Sequence, residues 1–252
     1  MALQDGGGLF RYLQGAGSFE PFLQGQGNVI TIDLAADSVA GQDYVLVTSL
    51  GLTSGQFNST YVIGYTDQGK EVARWMGRGQ FTGVVIDTRN SLIYVGNKSS
   101  SEISVLKLSD PKSLPMTVVA IPSIGSLGPM AMDVAKQQIF VGDKLEGKLY
   151  TADLRTHKAR LILSGLGEPA ALAFDATKRK LYVADAAKRR ISVLDLEAVT
   201  ATPEARIFSA PREFREPRGL TIDASGAVWV ADFGAKSVFV LSPSGQITRK
   251  LK

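Results

Sequence analysis

Read as hydrophobic and polar positions, the chain is a succession of short apolar runs, each closed by a turn-forming residue. Five runs end in aspartate: Val29–Asp33, Val84–Asp87, Met130–Asp133, Ala171–Asp175 and Gly219–Asp223. The Asp-to-Asp steps are 54, 46, 42 and 48 residues. A second run follows each of them: Tyr44–Val47, Leu92–Val95, Gln138–Val141, Lys180–Val183 and Ala227–Val230. Behind these stand Thr48-Ser49, Gly96-Asn97, Gly142-Asp143, Ala184-Asp185 and Ala231-Asp232. Third runs come next, at Tyr61–Tyr65, Ile103–Leu106, Lys148–Thr151, Ile191–Leu194 and Val238–Leu241. Weaker fourth runs close each set, at Glu71–Trp75, Thr117–Ala120, Arg160–Leu163, Ala205–Phe208 and Gln246–Arg249. Runs this short, rich in Val, Ile and aromatics and bounded by Gly, Pro, Asp and Ser, predict strands. Four strands per repeat of this length is the period of a β-propeller blade, a sheet too small to be stable until its faces are covered by neighbouring blades.

Before Asn28, Leu9–Leu13 and Phe19–Leu23 read as a third and a fourth strand. The predicted strands therefore fall one pair short of six four-stranded blades. The expected fold is all-β, a propeller of four-stranded antiparallel blades on a six-bladed plan with one incomplete blade. The alternative is five blades with the N-terminal hairpin outside them. The expected organisation is one propeller domain over residues 1–252, with a half-blade at 1–27 and repeats at 28–80, 81–126, 127–167, 168–214 and 215–252.

Composition removes several chemistries. There is no cysteine, which excludes disulfides, thiolate zinc sites, iron–sulfur clusters and a thiol nucleophile. The one histidine, His157, makes a multi-histidine metal site impossible, and its place in a turn between outer strands predicts a solvated residue. The formal charge of +4 is a mild excess. No apolar stretch is long enough to predict a membrane span. The opening Met1-Ala-Leu-Gln-Asp-Gly-Gly-Gly does not read as a signal peptide. It suits a soluble protein, one reading being an exported chain, periplasmic or secreted, with its leader removed.

The segment Glu216-Pro-Arg-Gly-Leu-Thr-Ile-Asp-Ala-Ser-Gly-Ala-Val-Trp-Val-Ala-Asp232, continued by Ser237–Leu241, resembles an NHL repeat. Glu168–Asp175 with Leu181-Tyr-Val-Ala-Asp185 is a second match. The stretch Gly8–Leu23 resembles the gluconolactonase-like superfamily, which shares the six-bladed plan. The resemblance implies a propeller across nearly the whole chain and says little of activity, because one fold hosts many functions. Metal-dependent lactonases of that superfamily bind a divalent cation through a Glu, two Asn and an Asp. This chain has neither a Glu-Gly-Pro opening nor a Ser-Asn-Gly motif. Similar streptogramin and peptide-amidating lyases need more histidines than His157 alone.

The first-strand aspartates (Asp33, Asp87, Asp133, Asp175, Asp223) each open a tight turn and are expected to cap it. The second-strand ends (Ser49, Asn97, Asp143, Asp185, Asp232) lie at the opposite rim. Turn capping and ligand binding both remain open there. Asn97, Asp143, Asp185 and Asp232 are oxygen donors suited to a hard cation such as Ca²⁺, so a divalent metal stands as the alternative to no cofactor. The same rim carries Lys98, Lys144, Lys188, Arg189, Arg190 and Lys236, with Arg78, Arg212, Arg215 and Arg218 in loops between blades. Acids interleave at Glu102, Glu146, Glu168, Glu213 and Glu216. Lys188, Arg190 and Arg218 are the candidate contacts for an anionic ligand, RNA included. Phe81, Phe214 and Phe233 are the aromatics expected on the rim, and Trp75 and Trp229 are expected in blade-to-blade packing. Leu50–Ser59 reads as a lengthened rim loop, and Asn58-Ser-Thr60 and Asn97-Lys-Ser99 are sequons.

No catalytic constellation can be assembled from these residues. The leading expectation is a non-catalytic binding module, taking a small molecule or a protein at the mouth of the propeller channel. The first alternative is a metal-dependent lactonase or esterase of gluconolactonase-like type, and the second an RNA-binding NHL module.

Overall fold

The computed structural model describes residues 9–13, 18–23, 29–39, 41–53, 56–77, 79–197, 205–209 and 213–251. Its described elements are strands throughout, and no helix among them is long and apolar enough to cross a membrane. They fall into two compact units, residues 1–118 and 119–252.

The first unit opens with β1 (Leu9–Leu13) and β2 (Ser18–Leu23), which pair only with each other. Blade one follows as β3 (Val29–Val39), β4 (Gln42–Thr53), β5 (Gln56–Tyr65) and β6 (Glu71–Gly77). Blade two is β7 (Phe81–Asp87), β8 (Leu92–Asn97), β9 (Glu102–Lys107) and β10 (Met116–Ala120), whose last strand runs across the boundary between the units. The second unit holds blade three, β11 (Leu127–Asp133), β12 (Gln138–Asp143), β13 (Lys148–Asp153) and β14 (Lys158–Leu163). Blade four is β15 (Pro169–Asp175), β16 (Lys180–Asp185), β17 (Arg190–Asp195) and β18 (Arg206–Ser209). Blade five is β19 (Pro217–Ile222), β20 (Val228–Asp232), β21 (Ser237–Leu241) and β22 (Ile247–Leu251).

Each blade is a four-stranded antiparallel sheet in chain order, which makes the fold an all-β propeller. Among the described residues there are five such sheets, the count of the five-bladed alternative. The six-bladed plan is not confirmed: β1 and β2, the expected half-blade, form a two-stranded sheet of their own.

Packing follows the alternation within each strand. Inside the first unit, Leu46, Val62 and Trp75 of blade one meet Phe81, Ile93 and Val95 of blade two. Trp75 is fully buried there, and its indole N–H donates to the Lys107 and Asp110 carbonyls, both at 3.0 Å. Phe22 of β2 packs on Val47, Ile63 and Tyr65, on the other side of blade one. Inside the second unit, Phe140 of blade three meets Leu172, Leu181 and Val183 of blade four. Tyr182 and Ile191 of blade four meet Val230, Phe239 and Leu241 of blade five.

Blade one departs from the expected register. β3 runs on to Val39 and pairs it with Gln42, so Asp33 lies inside the strand and opens no turn. Ser49 likewise lies within β4, which continues to Thr53. The stretch expected as a long rim loop is an extension of the β4–β5 hairpin, pairing Leu50 with Thr60 and Thr53 with Gln56. Alternating apolar and polar residues let a strand continue past a point that looks like a turn when neither Pro nor a tight Asx-Gly pair stops it.

Candidate functional site

The rim of the second unit is built where second strands end and hairpins turn toward third strands. Asp143, Asp185 and Asp232 occupy equivalent positions there and are almost wholly buried. Their carboxylates cap the following turn, as short Asx geometry favours. Asp143 Oδ1 accepts from the Leu145 and Glu146 N–H groups at 3.0 and 3.1 Å. Asp185 and Asp232 accept from Lys188 and Ala235 N–H at 3.0 and 2.9 Å.

The same carboxylates also reach the loop that enters their blade. Asp143 accepts from Gly125 and Ser126 N–H at 2.7 and 3.0 Å. Asp185 accepts from Gly167 and Glu168 at 2.8 and 3.0 Å, and Asp232 from Arg215 and Glu216 at 2.7 and 2.8 Å. A backbone bond locks each pair of segments: Lys144 N–H to Ser126 O at 3.0 Å, Ala186 to Glu168 at 2.9 Å, Phe233 to Glu216 at 3.0 Å. Each aspartate is therefore a clamp between the turn and the entering loop. Gly167 is required for this approach, because a Cβ there would stand 2.5 Å from Asp185 Oδ1. Asn97, in the first unit, caps its own turn by accepting from Ser99 N–H at 3.1 Å.

This chemistry tests the metal alternative. A hard cation needs six to eight oxygen ligands with lone pairs turned toward one point. The Asp143, Asp185 and Asp232 oxygens are already taken by backbone donors on three separate blades. Among the described residues no three His, Cys, Asp or Glu side chains are grouped so as to hold a metal ion. As placed, the Asp143, Asp185 and Asp232 carboxylates each serve backbone amides of their own blade rather than a shared ligand point.

The rim bases divide by their partners. Arg218 bridges two glutamates, with Nη1 3.1 Å from Glu168 Oε1 and Nε 2.5 Å from Glu216 Oε1. Burial alone would lower its guanidinium. The Glu216 hydrogen bond and the charges of Glu168 and Glu216 outweigh burial and raise it. Lys188 donates to the Gly165 carbonyl across the entering loop. Arg190 opens β17 opposite Asp185, with its Nε buried and without a hydrogen-bond partner. Arg78 and Arg212 lie outside the described residues.

Of the three aromatics expected on the rim, Phe81 and Phe214 are core residues, 0% and 2% exposed. Phe214 packs edge-on against Phe239, with centroids 5.3 Å apart. Phe233 is 66% exposed, and Leu145, which the sequence reading did not single out, is 70% exposed. Among the described residues of this unit, they are the exposed large apolar side chains that lie in turns.

The opposite rim has a different character. Its first-strand aspartates cap turns as expected, Asp175 accepting from Thr177 and Lys178 N–H at 3.0 and 2.9 Å. Its bases pair with these acids: Arg179 with buried Asp133, and Lys178 Nζ 3.7 Å from Asp175. A groove of about 330 Å³ lies between the β15–β16 and β19–β20 turns, lined by Asp175, Lys178, Asp223 and Ser225 among others. Asp223 is occupied by Ser225, Ala227 and the Trp229 indole N–H, the last at 2.7 Å. Trp229 thus belongs to a polar contact, with the Arg249 guanidinium 5.6 Å from its ring, as well as to the blade interior. His157 is an exposed residue of the β13–β14 turn with a left-handed backbone, φ 57°.

Four-stranded antiparallel blades in chain order define a β-propeller, and comparison places it further. The family profile for the SMP-30/gluconolactonase/LRE-like region matches residues 65–252, and the chain belongs to that family. No curated protein sequence matches it. Among solved structures it is similar to a chain of the nidogen/laminin complex, with TM-score 0.77 and 16% identity over 97% of this chain and 89% of that one. It is similar to the luciferin-regenerating enzyme, with TM-score 0.68 and 17% identity over 88% and 76%. Virginiamycin B lyase from Staphylococcus aureus gives TM-score 0.64 and 12% identity over 88% and 69%. At these identities the likeness is one of fold.

Proposed function

We propose that this chain is a non-catalytic member of its family, binding a protein partner on the rim formed by the β12–β13, β16–β17 and β20–β21 turns. One observation carries the reading: the rim carboxylates are spent on backbone amides while Leu145 and Phe233 stand exposed beside them. Buried groups hold the surface rigid, and exposed apolar side chains on rigid turns are what a partner would cover. The nidogen/laminin structure supports the reading in that a similar propeller occurs there in a protein complex.

The test pairs two assays on the full chain. Leu145→Ser with Phe233→Ser should leave the melting temperature unchanged and abolish a complex seen by native mass spectrometry of protein isolated from its own source. Hydrolysis of lactones or esters that requires added Ca²⁺ would sink the proposal.

Family membership favours a second reading, the metal-dependent hydrolase. It would need oxygen ligands other than Asp143, Asp185 and Asp232. Stoichiometric divalent metal in the purified protein, retained in Asp185→Asn, would favour it.

A further inference from the structure

We infer that the partner presented to this rim is an acidic, apolar peptide segment rather than a polyanion. The inference rests on the binding reading above and names the chemistry of the partner. It is argued from what the three successive turns of the second unit carry. The outer two present Leu145 and Phe233, both exposed. The middle turn presents the small Ala187, then Lys188 and Arg189, all exposed. In blade order, the three turns therefore present an apolar, a cationic and an apolar side chain. Lys188 is oriented, since one of its donors is held by the Gly165 carbonyl. An ammonium has three donors, so carboxylate binding need not break that bond.

Charge decides against nucleic acid. Polyanion binding draws its strength from bases that neutralise consecutive phosphates. Here the bases are interleaved with acids: Glu168 and Glu216 on Arg218, Glu146 with its carboxylate 3.5 Å from Lys148, and buried aspartates beneath each turn. Lys148 and Arg218 are thus committed to neighbouring acids, while Lys188 and Arg189 present exposed cations. Stacking of successive bases also requires several exposed aromatics, and Phe81 and Phe214 are buried. A peptide with one well-placed carboxylate uses the local charge and needs no long-range field.

Packed sheets lie about 10 Å apart and an extended chain advances about 3.3 Å per residue, so neighbouring turns match positions about three residues apart. The segment that fits reads apolar, then acidic about three residues on, then apolar about three further.

The experiment pans a random dodecapeptide display library on the intact chain and measures selected peptides by fluorescence polarisation. The expected consensus is a Glu or Asp with Leu, Phe or Ile about three residues to either side. Affinity should fall about tenfold or more in Lys188→Glu and in Leu145→Ser with Phe233→Ser. A peptide with Lys in place of its acid should regain affinity for Lys188→Glu. A consensus without a carboxylate that still weakens in the Leu145 and Phe233 variants overturns the acidic class and leaves the rim reading standing. Selected peptides indifferent to all these variants overturn both. An empty selection, or poly(U) RNA that binds with a steep salt dependence and is lost in Lys188→Glu, overturns the peptide proposal.

Discussion

Asp185 does two jobs with one carboxylate. It caps its own turn through Lys188 and holds the entering loop through Gly167 and Glu168. Removing it strands three backbone donors, each costing about 1 kcal/mol or more when left buried without an acceptor. Asp185→Ala should therefore destabilise the protein by about 3 kcal/mol, read from chemical denaturation. Asp185→Asn should cost less, because one acceptor oxygen remains. A turn cap alone would account for about 1 kcal/mol, so a loss of that size would show that the loop contact contributes nothing. The turn-capping half of this role was legible in the sequence, because Asp before a tight turn has a local reason to be there. The clamp half was not. Gly167 and Glu168 lie 18 and 17 residues away along the chain, and no local pattern reports that their N–H groups face Asp185.

At the scale of elements, blades three and four are joined by more than apolar packing. Arg179, in the β15–β16 turn, reaches back to Asp133 at the end of β11 and stacks 5.0 Å from the Phe174 ring centroid. Asp133 is 1% exposed, so its carboxylate without the guanidinium would be a buried charge with less support. Arg179→Ala should cost about 3 kcal/mol in an unfolding titration, and Arg179→Lys should recover less than half of it. Equal stability of the wild type and the Ala variant would mean the pair is screened and the interface rests on Phe140, Leu172 and Val183 alone. The strand pattern predicted every strand of blades three to five, with ends within three residues, because there period-two alternation and Asp-capped turns agree. Blade one was misread for the opposite reason. Val29–Asp33 has the composition of a complete strand, but pairing with β4 carries it on to Val39.

For the molecule as a whole, stability should depend on pH at both ends. Burial pushes the Asp223 carboxyl up, but hydrogen bonds from the Ser225 hydroxyl, the Trp229 indole and the Ala227 and Ser225 backbone outweigh it and hold it low. A carboxyl depressed in the fold stabilises above the ordinary carboxylate range and loses that contribution as pH falls through its lowered value. Asp223→Asn should flatten the acid limb of the melting curve. Burial raises the phenols of Tyr94 and Tyr182, with Asp87 and Asp175 adding to the effect. A raised group stabilises fully below its ordinary value of about 10, and the contribution is lost as pH rises through the folded value. Tyr182→Phe should therefore flatten the alkaline limb. Because the rim aspartates serve as clamps, Ca²⁺ and chelator should leave the melting temperature within about 1 °C of each other. A drop of several degrees with chelator would return the metal reading to the front.

The sequence by itself determined the all-β class, the repeat of four strands and the absence of thiol or multi-histidine chemistry. These follow from composition and from periodicities of a few residues, which local physics enforces. Only the tertiary structure decided what the repeated residues do. It turned Asp143, Asp185 and Asp232 into clamps. It buried Phe81 and Phe214, left Phe233 and Leu145 outside, and paired β1 and β2 with each other. The reason is physical. Whether a side chain meets solvent, a distant backbone donor or another blade depends on contacts between residues far apart in sequence, and those contacts exist only once the sheets have packed.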